Sequence, residues 1–218
     1  MISLGIEPHV AIATNMLALT FMSIGGSLPF VRHGVVVRTY LPLSIFLTVI
    51  GSAFGAFVLL EIPVRTLQLS IAGSMIAVAM FVLAKGDLGI ATNPIPVSQR
   101  SVWSGYLLTF LLAVYGGFFS GGYVTMLTVT YVALFGMSFL QSVATTKIIN
   151  IVSSGVATVV FVYRGALDVK LGMLLGFAMF FGAVLGSRIA LALNPVWLRR
   201  IFIFTVLGFA IKLLLGSH

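Results

Sequence analysis

Cysteine is absent from the 218 residues, which excludes disulfides, thiolate metal sites and thiol chemistry. Acids are almost absent. The four present, Glu7, Glu61, Asp87 and Asp168, sit at the ends of apolar runs or between them, so a buried carboxylate relay of the kind used by many proton-coupled pumps has no candidate residues. His9 and His33 are peripheral as well, so an intramembrane hydrolase with Ser120 as nucleophile has only Lys147 as its base. The third scarcity is polar surface. Charged residues make up 7% against 60% apolar, and mean hydropathy is +1.20, too little polarity to cover a soluble domain. Strand-length alternation is missing too. The chain therefore reads as an all-α membrane protein of about seven spanning elements, with the lipid bilayer as its surroundings and no cofactor required.

Twelve Lys and Arg give a formal charge of +8, and most of them fall between the apolar runs. That placement carries topology, because basic loops stay cytoplasmic and face anionic lipid. A nucleic-acid surface would need a basic face interleaved with aromatics, which is missing. The opening MISLGIEPHVAIATN has neither a basic n-region nor a small-residue cleavage site and is not read as a signal peptide.

The run from Val102 to Phe135 holds 34 residues. As one helix it would be roughly 50 Å long, against a hydrocarbon core of about 30 Å. YGGFFSGGY, Tyr115 to Tyr123, breaks it in the middle, so two helices of about fourteen residues are expected, as a re-entrant hairpin or as a discontinuous span. Spans are expected at about His9–Val31, Thr39–Leu60 and Thr66–Ala84 before the break, and at about Phe139–Val162, Val169–Leu193 and Trp197–Leu215 after it. Lys85 to Ser101 is the polar linker between halves.

The chain matches itself at an offset of 131 residues, without a gap, from Gly5 to Gly55. Identical pairs include Ala13/Ala144, Thr14/Thr145, Ser23/Ser154, Phe30/Phe161, Gly34/Gly165, Gly51/Gly182 and Gly55/Gly186. The expected organisation is a first repeat over 5–84, without an opening broken segment, the linker 85–101, and a second repeat over 102–215 that includes the broken segment 102–135. If that segment crosses once, the copies are parallel. If it returns to its own side they are inverted, which the length argument and the habits of duplicated transporters favour.

YGGFFSGGYVTM, ATTKIINIVSSGVATVVFVYRGALD and GAVLGSRIA resemble the second half of the TauE/SafE sulfite exporter family, and HVAIATN, FVRHGVV and GSAFGA resemble its first half. The resemblance implies a transporter that moves small sulfur-containing or organic anions, such as sulfite or sulfonates, across the bacterial cytoplasmic membrane. Family members usually open with a broken segment in the first half as well. Its lack here raises the alternative of a site completed by a second copy of the chain, and leaves oligomeric state open.

Lys147 is the only charge well inside an expected span, and an intramembrane cation is a functional hypothesis by default. Thr146, Asn150 and Ser154 are near it on the same helix. Gly117, Ser120, Gly121 and Gly122, with Gly116, would let backbone N–H groups approach an anion where a half-helix starts at Tyr123. Thr14 and Asn15 correspond to Thr145 and Thr146, so the four side chains are candidates to ring an oxyanion. Each has a bland counterpart: lysine snorkels, glycines permit close packing, and Thr bonds its own helix. The Gly51/Gly55 and Gly182/Gly186 pairs are expected as helix contact faces. The expected function is a secondary carrier binding a small anion near the bilayer midplane between the repeats, not an enzyme. The alternatives are a passive anion channel or a subunit needing a partner.

Overall fold

The structure, a computed structural model, describes residues 7–63 and 97–194, together with Thr66 and Trp197. The expected third span beyond Thr66, most of the linker and the last span beyond Trp197 lie outside the described residues. Six α-helices are described: α1 (Pro8–Arg32), α2 (Leu41–Glu61), α3 (Gln99–Phe118), α4 (Tyr123–Phe135), α5 (Phe139–Tyr163) and α6 (Val169–Ala192). Among the described residues there is no strand. All but α4 are long and apolar enough to cross a bilayer.

Local chemistry sets the ends. Pro8 opens α1, where a missing N–H costs nothing. Ser98 caps α3 by accepting the N–H of Ser101, and Ser138 and Gln141 form a reciprocal capping box on α5. Asp168 accepts the N–H of Leu171 at the start of α6. The first arm of the broken segment begins at the Ser98 cap, ahead of the apolar run, so the arms are 20 and 13 residues rather than two of about fourteen.

The two halves end their first helices in the same way. α1 and α5 are both 25 residues long and start 131 residues apart. Gly34 and Gly165 both turn left-handed at φ +66°, and the N–H groups of Val35 and Ala166 reach back to the carbonyls of Phe30 and Phe161 at 3.1 and 3.0 Å. This six-residue closure satisfies carbonyls that a helix end leaves free, and glycine adopts the turn without a Cβ penalty.

α1 packs on α6 and α5, α2 on α3 and α5, and α4 lies against α3 and α5. The Ser101 hydroxyl, at the start of α3, donates to the Leu134 carbonyl at the end of α4, 3.0 Å away. The broken segment therefore returns to the side it came from. Around its base, Tyr40 stacks on Phe135 with ring centroids 4.5 Å apart, and Tyr106 meets both rings edge-on.

The α2–α3 contact is close because it is made by glycines. A Cβ on Gly55 would run into the Val114 carbonyl, and one on Gly117 into the backbone of Ser52. One repeat further on, Gly182 and Gly186 of α6 have nothing within 4 Å among the described residues. α6 buries only Gly172, Gly176 and Ser187, and turns Leu174, Phe177, Phe181, Leu185 and Ile189 outward, a lipid-facing pattern.

Candidate functional site

Lys147 lies two turns into α5, about 12 Å along the helix from its start. Its Cδ sits 3.5 Å from where a Cβ on Gly26 of α1 would be. The absence of that side chain makes room for the lysine stem. Ser187 of α6 donates to the Gly26 carbonyl at 2.6 Å, tying α6 to α1 at the same level. Between the three helices is an open groove of about 380 Å³, lined by Lys147 with Met22, Phe30, Met179, Ala183 and Ser187, and with Gly182 and Gly186 at its edge. No described residue gives the ammonium a hydrogen bond or an ion pair. An unpaired cation in an apolar groove is costly unless an anion joins it.

The other expected site residues are placed elsewhere. Thr145 accepts the backbone N–H of Val37, and Thr14 accepts that of Asp168, both at 3.1 Å. Thr146 donates to the Val143 carbonyl and lies 3.3 Å from Thr128 of α4, so it faces the hairpin while its neighbour Lys147 faces α1 and α6. Asn150 donates to Ser23 of α1 at 2.6 Å. Asn15 is half-buried on α1.

At the break, Tyr115 Oη donates to the Gly121 carbonyl, Gly116 packs under the Tyr123 ring, and Gly121 against the Phe119 ring. Gly122 starts α4 at φ 77°, and Ser120 accepts the N–H of Tyr123 through its carbonyl at 3.2 Å. The first turn of α4 brings its partial positive charge to this point. Of the ten residues expected to form one site, only Lys147 lines the groove. Gly26 and Ser187 shape the groove and were not expected. The sequence signal for Ser187 was its place inside GAVLGSRIA, beside the glycine pair.

A bundle of apolar helices with a broken hairpin and an unpaired cation in a groove defines a multi-pass membrane protein of the transporter class. Residues 1–213 match the sulfite exporter TauE/SafE family, and the chain belongs to it. It is 29% identical over 98% of its length, and 81% of the relative's, to the probable membrane transporter protein ORF9 of a Sinorhizobium species. It is 26% identical to the probable membrane transporter protein YfcA of Escherichia coli K12, over 98% and 79% of the two chains. A probable membrane transporter protein of Haemophilus influenzae is 24% identical over 89% and 76%. No solved structure matches the chain. The chain is thus a membrane transporter of this family, and its relatives carry transporter names rather than enzyme names.

Proposed function

We propose that the chain is a secondary carrier for small sulfur-containing or organic anions such as sulfite or sulfonates, with Lys147 holding the anion. The observation that carries this reading is the unpaired ammonium opening into the groove between α1, α5 and α6. An oxyanion entering there exchanges its hydration for a charge-assisted bond to Lys147 in a low-dielectric setting, where such a bond is strong. Thr14, Asn15, Thr145, Thr146 and Asn150 act as positioning residues that hold α1, α5 and the hairpin around the groove. Gly117, Ser120, Gly121 and Gly122 keep the break compact and aim the start of α4 inward.

We infer inverted repeats, over 5–84 and 102–215, in the bacterial cytoplasmic membrane. The support is reciprocal contact: the loop after α1 touches the first turns of α5, and the loop after α5 touches the first turns of α1. Contacts that exchange in this way fit a two-fold axis, and since each helix's end meets the other's beginning, that axis lies across the helices. The returning hairpin fits the same arrangement. Among the described residues, one face then holds Arg32, Arg38 and Arg100 with no acid beside them, while the opposite face holds Arg164 and Lys170 with Glu7, Glu61 and Asp168. The positive-inside rule makes the first face cytoplasmic.

A second reading, a subunit completed by a partner chain or a second copy, is favoured by one observation. Among the described residues nothing packs on the Gly182/Gly186 face beside the groove, whereas the matching Gly51/Gly55 face is covered by α3. The test is uptake of labelled sulfite, sulfoacetate, thiosulfate and acetate into proteoliposomes holding this chain alone. Saturable uptake of the sulfur oxyanions, each competing with the others, is the carrier result. Flux that does not saturate contradicts it in favour of a channel, and flux that needs an added partner favours the subunit.

A further inference from the structure

Away from the Lys147 groove, the interface of α2, α3, α4 and α5 contains a row of hydroxyls. Ser44, Thr48 and Ser52 follow one another at a spacing of four on α2, so they share one face over about 12 Å. All three are fully buried. Tyr123 and Tyr131, eight residues apart on α4, face them. Tyr123 Oη lies beside the hydroxyls of Thr48 and Ser153, and Tyr131 Oη beside those of Ser44 and Thr109. Ser52 closes the inner end, donating to Ser153 at 2.8 Å and to the Ala113 carbonyl at 3.2 Å.

The side-chain oxygens of Ser44, Thr48, Tyr123, Tyr131 and Ser142 have no hydrogen-bond partner, although they are sealed from solvent. Several other buried hydroxyls of this bundle bond their own helix. Thr109, Thr128, Ser154 and Thr158 all donate to the carbonyl four residues back. Ser44 and Thr48 forgo that bond and turn toward the tyrosines. Neither does the repeat require them: 131 residues on, their counterparts are Leu175 and Met179, and the counterpart of Ser142 is Ala11.

We propose that these hydroxyls hold a file of bound water, running from the Arg38 side of the membrane to the glycine break. Buried polar groups find partners, and lipid offers none. Every member of the row is neutral and both donates and accepts, which suits water and provides no charge to hold a free ion. Water in a buried site makes about three such bonds. The file starts at Ser44, in the first turn of α2 after the Arg38 loop, and ends at Ser52, whose backbone lies against Gly117. It gives the break a hydrated path separate from the Lys147 groove and does not depend on which anion is carried.

The natural chain has no cysteine, so single cysteines report cleanly. The variants are Ser44→Cys and Thr48→Cys. The controls are Ala56→Cys, fully buried in the apolar cluster with Ile12, Met16 and Leu59, and Phe46→Cys, which faces lipid. Each is checked for monodispersity and reacted in liposomes with methyl methanethiosulfonate, a small neutral reagent. A thiol reacts as thiolate, and a dry apolar site suppresses that form, so a hydrated position reacts at least about tenfold faster than either control. Reaction of both file positions at the Ala56→Cys rate overturns the proposal. A misfolded Thr48→Cys leaves Ser44→Cys, a near-isosteric change, to decide it.

Discussion

Thr145 accepts the backbone N–H of Val37 at 3.1 Å, and Thr14 accepts that of Asp168 at the same distance. Both the two threonines and the two loop residues are 131 apart, so each half clamps the loop of the other. Thr14→Val and Thr145→Val keep shape and volume but leave a loop N–H without its acceptor. Each should cost about 0.5–1.5 kcal/mol, the net worth of one hydrogen bond, because both loop N–H groups are only part-buried. Serine at either position, which keeps the acceptor, should recover most of it. Thermal unfolding in detergent reads the loss, and valine variants with unchanged midpoints would show that the clamps do not hold the halves together.

Asn150 and Ser23 form the buried bond between α1 and α5, at 2.6 Å. A double-mutant cycle with Asn150→Leu and Ser23→Ala should give a coupling of about 0.6–1.7 kcal/mol, as for side-chain bonds between membrane helices. Strict additivity would remove this bond from the account.

The glycine pairs should respond unequally. Gly55→Ala drives a methyl into the Val114 carbonyl of α3, whereas Gly182→Ala meets nothing within 4 Å among the described residues. The first should destabilise by about 1–3 kcal/mol or prevent folding, and the second should leave the unfolding midpoint of the lone chain unchanged. Equal losses would mean that the α6 face is packed as tightly as the α2 face.

The inverted reading places Lys170 outside and Arg38 inside, and both are exposed. Lys170→Cys should react with a membrane-impermeant maleimide on intact spheroplasts, and Arg38→Cys only after permeabilisation. The reverse pattern would invert the assigned orientation.

The matching ends of α1 and α5 and the break were legible in the sequence for physical reasons. Gly34 and Gly165 recur because the same left-handed turn ends both helices, and the glycines of Tyr115–Tyr123 interrupt a run too long for one span. The return of the hairpin was an expectation that depended on the contact of Ser101 with Leu134, 33 residues away, which no local pattern encodes. The same limit applies to the site. Thr14 and Thr145 look like free donors in a linear reading, yet their hydroxyls meet N–H groups 154 and 108 residues distant. Thr146 and Lys147 are adjacent in sequence, but the helical turn of about 100° between them sends one toward α4 and the other into the groove.

The most direct measurement is saturable uptake of labelled sulfite by proteoliposomes containing the wild-type chain, Lys147→Met or Lys147→Arg, with each protein first shown to be folded. Removing one partner of a desolvated charge pair costs at least about 2 kcal/mol, so the account predicts that Lys147→Met weakens apparent affinity by about thirtyfold or more. Lys147→Arg, which keeps the charge, should retain part of the flux. Wild-type kinetics in Lys147→Met would contradict the central claim that the anion is carried on this lysine.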